Sequence, residues 1–311
     1  MNIVITGSTS MIGCAIIDEW LKDSNVGKIF AIIRKNTNRI GRIPKSQKIV
    51  IVECSINDYD SLPILINSKC DVFYHIAWDA TGEKRNDNCD AQISNIKYSL
   101  DALYAAKKLG CSLFIGAGSQ AEYGILDIEK IAPNSPTNPT QPYGIAKYAA
   151  GRFVSEVSKS LGICCIWVRI FSVYGIYDKT TTMISSVLSK MMKNEHIAMS
   201  KGEQMWDYLF SSDAGKAFYL IGVSNIKDNR IYCLGSGNAM RIIDYIQTMK
   251  AITNSSSDLG VGELDYKNNV MHLCANISDL TKDTGWVPAV SFETGIKTIY
   301  DYYRYEKKDN T

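Results

Sequence analysis

A tyrosine and a lysine stand four residues apart in the stretch PYGIAKY at positions 142–148. Residues i and i+4 project from the same side of a helix, so Tyr143 and Lys147 can face one ligand. A phenol can act as a general acid or base, and a nearby ammonium group lowers its pKa from the usual value of about 10. Pairs with this spacing are also common on helix surfaces, and the spacing alone favours a surface over catalysis.

A serine changes this interpretation. The stretch FIGAGSQAEYG at 114–124 places Ser119 directly after an apolar run with the character of a buried strand. Ligands of parallel α/β sheets bind outside the carboxyl ends of the strands. Ser119, Tyr143 and Lys147 are therefore candidate catalytic residues.

Short and nearly continuous apolar runs alternate with helix-like segments through the first half of the chain. The predicted strands are 2–6, 28–33, 48–52, 71–77, 111–117 and 163–170, and the predicted helices are 11–22, 57–67, 88–109 and 142–161. Continuous apolar strands are typical of a sheet that is buried on both faces. We therefore predict an α/β fold with a Rossmann-type doubly wound parallel sheet. In the third helix, the spacing of Ile93, Ile96, Leu100 and Leu103 predicts the buried face.

The alternation loosens after about Gly175. Further elements are predicted near 180–194 (helix), 230–234 (strand), 241–252 (helix) and 292–305 (helix). We assign residues 1–175 to a dinucleotide-binding domain, to which the segment 210–236 returns. Residues 176–311 then form mainly a smaller C-terminal substrate-binding lid.

The segment TGSTSMIG at 6–13 joins the first strand to the first helix. Gly7 can form the tight turn, and Gly13 leaves room for the helix to pack on the sheet. Ser10 replaces a central glycine but is small. Backbone amides at Ser10, Met11 and Ile12 would then point toward a pyrophosphate.

The residues after the second strand select between two dinucleotides. NAD sites usually place a carboxylate there for the ribose 2′-hydroxyl, whereas NADP sites place a cation near the 2′-phosphate. Arg34 and Lys35 occupy this position in AIIRKN. The prediction is therefore NADP(H), with NAD(H) as the alternative.

Taken together, these motifs resemble the extended short-chain dehydrogenase/reductases that act on nucleotide sugars. The resemblance covers nearly the whole chain and is carried by the loop TGxxxxIG, FYHIA (73–77), Asn95, Ser119 ahead of a YG pair, YGIAK, RIFSVYG (169–175) and GEQMWDYLFSSDAGKA (202–217).

The resemblance implies roles for the candidate residues. Tyr143 would protonate the oxygen of a sugar ketone, and Ser119 would hydrogen-bond the same oxygen. Lys147 would lower the pKa of Tyr143 and bind the nicotinamide ribose, and Ala77 would also contact the cofactor. The resemblance also implies a homodimer that pairs through helices 88–109 and 142–161.

Several positions depart from the family pattern. Ser55 replaces an aspartate that often touches the adenine, and Ala117 and Gly118 replace serines ahead of Ser119. Ser172 and Trp206 stand where many relatives have an asparagine and an arginine that contact the substrate. The candidate substrate-binding residues are Trp78, Gln120, Glu122, Ser172 and Trp206. For Gln120 and Glu122, loop solvation is an equally good interpretation, and for Trp78 so is a lid contact.

We therefore predict NADP(H)-dependent reduction of the 4-keto group of a nucleotide-linked 4-keto-6-deoxy sugar, giving a deoxyhexose for surface polysaccharide such as O-antigen. The alternative is a 4-epimerase with tightly bound NAD. A 4,6-dehydratase is disfavoured, because Gln120 and Ala121 follow Ser119 where that branch generally has an acidic pair. A non-catalytic NADP-binding protein is also considered, and it would be expected to have lost Tyr143 or Lys147.

The composition limits the classes of partner that this protein is expected to bind. The formal charge is +2, from 34 basic and 32 acidic residues without blocks of like charge, which disfavours a nucleic-acid or membrane partner. No secretion signal or spanning segment is recognised, so a cytoplasmic location is expected. The nine cysteines form no CxxC pair and are interpreted as reduced and mostly buried. No metal site is predicted, and His75 is interpreted as a core residue.

Overall fold

The structure is a computed structural model that describes residues 1–265 and 272–309. Within these ranges, the central sheet has seven strands, all parallel. Six of them are β1 (Ile3–Thr6), β2 (Ile29–Ile33), β3 (Ile49–Glu53), β4 (Val72–His75), β5 (Leu113–Ser119) and β6 (Cys164–Ile170). The short strands β7 (Ser172–Tyr174), β8 (Ile197–Met199), β9 (Met205–Trp206) and β10 (Tyr208–Phe210) precede the seventh, β11 (Arg230–Leu234). The order across the sheet is β3-β2-β1-β4-β5-β6-β11.

Helices cover both faces of this sheet. They are α1 (Met11–Lys22), α2 (Leu62–Ile66), α3 (Cys89–Lys108), α4 (Pro142–Leu161), α5 (Met183–Met191), α6 (Ser211–Val223), α7 (Ile242–Thr253), α8 (Ser278–Thr284) and α9 (Phe292–Asp309). Strands β12 (Met240–Arg241) and β13 (Leu259–Val261) complete the described elements. The predicted Rossmann-type doubly wound α/β fold is confirmed.

Each strand contributes to two cores because its side chains alternate between the faces. Ile3 and Ile5 of β1 pack with α1 and α6 on one face, while Val4 packs with α3 and α4 on the other. All three side chains are fully buried. This explains why the strands are apolar throughout rather than alternating with polar residues.

Two predicted features of the helices needed correction. The predicted helix 57–67 is instead a 3-10 helix at Ile56–Ser61 followed by α2, in which Pro63 occupies the first turn. Proline lacks an amide hydrogen and its ring obstructs the preceding turn, so an α-helix starts near it rather than running through it. The buried face of α3 also differs: Ile93 is 64% exposed, whereas the polar side chains of Gln92 and Asn95 are buried. They satisfy polar groups in the loop after β4.

The C-terminal half has a core of its own. Apolar residues of α5, α7 and α9 meet there, among them Leu188, Met249 and Ile296. Within the described residues, three two-stranded sheets lie outside the central sheet: β10 pairs with β7, β12 with β9 and β13 with β8. The segment 210–236 instead returns to the main sheet, since α6 packs on α1 and β11 pairs with β6.

None of the helices in the described ranges combines the length and apolar character needed to cross a bilayer. All nine cysteines lie in those ranges as free thiols, and seven of them are buried. The prediction of mostly buried, unpaired cysteines agrees with this placement.

Candidate active site

The end of β5 and the start of α4 bring the three candidate catalytic residues together. Ser119 is the last residue of β5, and Tyr143 and Lys147 lie in the first two turns of α4. Pro142 starts this helix, a position where its missing amide hydrogen is not needed. The Nζ atom of Lys147 donates to the carbonyl oxygen of Ala117 at 2.7 Å, which ties the helix to the strand.

The phenol of Tyr143 is held in its protonated form. Burial raises its pKa above the usual value, and a hydrogen bond with Ser119 and the charge of Arg85 only partly oppose this effect. The guanidinium of Arg85 lies 4.6 Å from the centre of the tyrosine ring. Burial is the largest cause of this shift, and the lowering effect expected of Lys147 stays a prediction. A protonated phenol suits the role of proton donor.

Lys147 is almost completely buried, with 3% of its surface exposed. Burial lowers the pKa of its ammonium group to about 7, although the carboxylate of Glu122 favours the charged form. The indole ring of Trp78 lies 3.6 Å from Nζ and provides a cation–π contact. The lysine is therefore poised to change its charge near neutral pH.

His75 lies behind these residues in β4. Its ring nitrogens contact the hydroxyls of Thr6 at 3.1 Å and Ser99 at 3.2 Å. Burial, together with the charge of Lys147, lowers its pKa to about 3, so the ring is neutral. Among the described residues no cluster of histidine, cysteine and acidic side chains could hold a metal ion.

The glycine loop forms one wall of a cavity of about 350 Å³ at the carboxyl ends of β1, β2 and β4. Gly7 has a φ of +69°, and a Cβ atom there would lie under 3.0 Å from the amide of Ala77. A Cβ atom on Gly13 would likewise collide with Gly7. Only glycine fits these positions, and the loop can therefore pass close to a ligand.

The start of α1 faces the same cavity. Ser10 is the N-cap residue, and its hydroxyl accepts a hydrogen bond from the amide of Gly13 at 3.1 Å. Met11 and Ile12 supply first-turn amides, which a helix leaves without intrahelical acceptors. Such amides bind phosphate groups. The loop, the helix start and the cavity thus fit a dinucleotide, and Ala77 and Trp78 also line the cavity.

Two arginines line this cavity near the end of β2. Arg34 follows β2, and Arg39 lies in the next loop. Lys35 is exposed and does not line the cavity. Cys54 and Ile56 lie at the end of β3 where the adenine contact was uncertain from sequence.

The loop after β4 is held by side chains of α3. Asn95 accepts from the amide of Asp79 at 2.8 Å and donates to its carbonyl at 3.1 Å. The oxygen of the Gln92 side chain accepts from the indole of Trp78 at 2.9 Å. These bonds fix the Trp78 ring, whose centre lies 6.2 Å from that of Tyr143. Trp78 therefore lies between the dinucleotide cavity and the catalytic residues.

The remaining substrate candidates have different environments. The Oε1 atom of Gln120 is buried without a hydrogen-bond partner in the described part of the chain, and the Oε1 atom of Gln204 is in the same state. Ser172 and Trp206 contact each other: the indole nitrogen donates to the hydroxyl at 2.7 Å.

Glu122 requires a correction. It was predicted to contact the sugar or solvent, but its side chain is fully buried. Its carboxylate accepts from Arg169, Trp167 and the amide of Ser119. The carboxylate therefore lies behind the catalytic residues rather than in the pocket, because an unpaired cation on Arg169 inside the core requires a partner.

Three cations near the pocket were missed from sequence. Arg39 and Lys179 both line the dinucleotide cavity, and Arg85 lies over Tyr143. Lys179 also donates to the hydroxyl of Thr81 at 3.0 Å, connecting the loop after β7 to the loop after β4. The run RKNTNR contains Arg39 close to Arg34, so Arg39 could have been identified from sequence as a second cation. No local sequence pattern indicates that Lys179 or Arg85 lies near the pocket.

Comparisons with known proteins agree with this geometry. Residues 3–235 match the sequence profile of the NAD dependent epimerase/dehydratase family. A protein from Methanocaldococcus jannaschii, provisionally named a UDP-glucose 4-epimerase, is 26% identical over 316 residues, which cover 97% of this chain and 98% of that protein. CDP-abequose synthase from Salmonella muenchen is 24% identical over 310 residues, or 96% of each chain.

A solved structure shows the same fold. UDP-glucuronic acid 4-epimerase from Bacillus cereus, in complex with NAD, superposes with a TM-score of 0.84 at 20% identity. The superposition covers 99% of this chain and 98% of the other. The shared architecture thus extends over both the main sheet and the C-terminal region.

Proposed function

Because the chain belongs to the NAD dependent epimerase/dehydratase family, we propose that it transfers a hydride at C4 of a nucleotide-linked hexose with Ser119, Tyr143 and Lys147 as catalytic residues. The convergence of these three side chains beside the cavity that the glycine loop lines supports this function. The catalytic roles rest on the family resemblance together with this placement.

Within this chemistry we propose NADP(H)-dependent reduction of a 4-keto-6-deoxy sugar. The observation that carries the choice is the pair Arg34 and Arg39, which line the cavity near the end of β2. Guanidinium groups bind phosphate through paired, charge-assisted hydrogen bonds. A 2′-phosphate is the group that distinguishes NADP from NAD, and cells maintain NADPH for reductions.

The residues act around the keto oxygen. When bound, the dinucleotide supplies the hydride to the sugar carbon. Tyr143 donates its phenolic proton to the keto oxygen, and its raised pKa keeps that proton in place before reaction. Ser119 holds the same oxygen by hydrogen bonding, and the charge of Lys147 stabilises the phenolate that remains.

The second candidate is a 4-epimerase with tightly bound NAD. The relative from Methanocaldococcus jannaschii and the NAD complex from Bacillus cereus support it at least as well as they support a reductase. The same three catalytic residues would serve it. The CDP-abequose synthase relative supports the reductase side, since its name denotes synthesis of a CDP-linked sugar. Dehydration remains disfavoured by Gln120 and Ala121.

We further propose that the C-terminal region holds the nucleotide of the substrate. Ser172 and Trp206 are the candidate contacts on this side, and Gln120 is the further candidate for the sugar. A bonded serine and tryptophan replace the asparagine and arginine of many relatives. The diphosphate must then be recognised by other groups than an arginine at this position.

A homodimer through α3 and α4 is also proposed. Both helices pack together along one side of the molecule. Large apolar side chains project from them into solvent, with Ile93 64%, Ile145 50% and Phe153 53% exposed. Burial of such side chains between two copies would favour association.

The deciding experiment has two parts. The dinucleotide carried by the purified protein is identified after denaturation, and oxidation of NADPH or NADH is followed at about 340 nm with dTDP- or CDP-4-keto-6-deoxyglucose. Stoichiometric oxidation that is faster with NADPH supports the reductase. Recovered NAD, with a sugar interconverted without net oxidation, supports the epimerase. Tight dinucleotide binding without turnover of any sugar would leave only a binding function.

A further inference from the structure

A buried ionic network lies directly behind the catalytic serine. The Oε1 atom of Glu122 accepts from the amide of Ser119 at 2.8 Å and from the indole of Trp167 at 2.9 Å. Its Oε2 atom accepts from Nε of Arg169 at 2.7 Å. Arg169 also donates to the carbonyl of Pro133 at 3.0 Å. Both charges are thus paired and bonded on several sides.

The surrounding backbone is shaped to hold this network. A Cβ atom on Gly118 of β5 would lie under 3.0 Å from both the Trp167 indole and the Glu122 carboxylate. A Cβ atom on Gly151 of α4 would also lie under 3.0 Å from the indole. The absence of side chains at these two glycines lets the Trp167 ring lie between strand and helix, where its nitrogen reaches Glu122.

The network contacts Ser119 directly. Glu122 closes a capping box with Ser119, because the Ser119 hydroxyl accepts from the following turn while the carboxylate accepts from the Ser119 amide. The hydroxyl accepts from the amide of Ala121 at 3.2 Å. Lys147 donates to the carbonyl of Ala117, two residues before Ser119, and the charge of Glu122 acts on its ammonium group.

We propose that Glu122 is a positioning residue for the reaction, fixing Ser119 and supplying the negative charge that faces Lys147. This inference rests on the proposed catalytic roles of Ser119 and Lys147. Glu122 does not touch the substrate; it acts through these two groups.

The balance of charge around Lys147 supports this role. Glu122 approaches from the turn after β5, His75 from β4, and Tyr143 from the same helix. His75 is neutral and Tyr143 keeps its proton, so neither supplies a negative charge. Arg169 is paired with Glu122, and the guanidinium of Arg85 lies over the Tyr143 ring. Within the described part of the chain, the carboxylate of Glu122 is the anion that favours the ammonium form of Lys147.

The test compares the parent with Glu122→Gln, which keeps the shape of the side chain and removes its charge. Lysine Cε resonances are followed by NMR against pH in protein carrying ¹³C-labelled lysine, and Lys147→Met identifies the signal. The midpoint for Lys147 should fall by about one to three pH units in Glu122→Gln. The control Glu156→Gln removes an exposed carboxylate of α4 and should leave the midpoint unchanged.

A second variant covers the case in which the uncompensated Arg169 prevents folding. Glu122→Gln combined with Arg169→Gln removes both charges of the pair and leaves no ion unpaired. The proposal expects the titration midpoint of Lys147 to fall in this double variant as well. The alkaline limb of the kcat–pH profile should move to lower pH, and KM for NADPH should stay unchanged. A folded double variant with the parental midpoint and pH profile would overturn the proposal and leave Glu122 a purely structural residue.

The lysine titration needs no substrate. A lowered midpoint would support the charge role of Glu122 even if no keto sugar were turned over. Conversely, reductase activity with an unchanged midpoint would uphold the proposed function and overturn this inference.

Discussion

The indole nitrogen of Trp206 donates a hydrogen bond to the hydroxyl of Ser172 at 2.7 Å, joining β9 to β7. Each of the two side chains satisfies the polar group of the other. Their bond holds the indole ring in place beside β7.

Removing either partner of this bond should have the same effect. Ser172→Ala and Trp206→Phe each delete the hydrogen bond, and each should lower the free energy of unfolding by about 0.5–1.5 kcal/mol. The double variant should lose at most about 0.5 kcal/mol more than the less stable of the two single variants, because the same hydrogen bond cannot be lost twice. Chemical denaturation measures all four proteins, and full additivity would contradict the pairing.

Tyr143→Phe removes the proposed proton donor and keeps the ring. We expect kcat to fall on the order of 10²–10⁴ while the Kd for the dinucleotide changes little. Tyr148→Phe, on the same helix, is the matched control and should retain full activity. Unchanged turnover in Tyr143→Phe would mean that another group protonates the sugar oxygen.

Arg34 and Arg39 should distinguish the two dinucleotides. Arg34→Asp and Arg39→Ala should each raise the Kd for NADPH by about 10-fold or more, because a charge-assisted bond to the 2′-phosphate is lost. The Kd for NADH should change far less. Lys35→Ala serves as the control, since Lys35 does not line the cavity. Fluorescence titration measures these constants, and equal losses for both dinucleotides would remove the argument for NADP.

The charge of Lys147 should shape the pH dependence. Its pKa of about 7 means that the ammonium form is lost as pH rises through neutrality. The kcat/KM profile, which reports groups of the free enzyme, should therefore fall above about pH 7. Lys147→Arg keeps the charge at all these pH values and should abolish that limb, at reduced activity. A parental profile that stays flat to pH 9 would contradict the assignment.

The lowered pKa of Lys147 also makes the free energy of unfolding depend on pH, and this dependence favours higher pH. The lysine pKa is about 10.4 in an unfolded chain and lower in the fold, so the unfolded state binds more protons between these values. This group alone makes the free energy of unfolding increase from about pH 7 to about pH 10. Comparing the parent with Lys147→Met by denaturation across this range isolates its contribution.

The exposed apolar side chains of α3 and α4 predict the oligomeric state. Phe153→Asp should convert a dimer into a monomer, because a carboxylate would be buried against apolar groups of a second copy. Ile64→Asp changes an 81% exposed residue of α2 and is the control. Light scattering after size-exclusion chromatography gives the mass. A dimer that survives Phe153→Asp would place the interface elsewhere.

Regular elements of this fold were predictable because their patterns are local. The bounds of α1, α4 and β11 agree with the sequence prediction residue for residue. The β-branched runs mark the strands directly, and Gly162 marks the end of α4. The buried face of α3 was not predictable from spacing, since Gln92 and Asn95 are buried to bind a loop that is distant in sequence.

The candidate site was predictable in its motifs but not in its charges. Ser119, Tyr143 and Lys147 follow from recognisable segments, and the fold brings those segments together. Glu122 was interpreted as a loop residue over the pocket because no local sequence pattern indicates its partner Arg169, which lies 47 positions later in the chain. Arg85 and Lys179 reach the pocket only through loop conformations that a linear pattern does not encode.

The glycine at position 118 also limits which substitutions this fold can accept. Any side chain at 118 would collide with the Trp167 indole. A larger residue at 118 therefore requires a smaller residue at 167, which would leave a cavity and remove a donor from Glu122. Positions 118 and 167 can thus change only together.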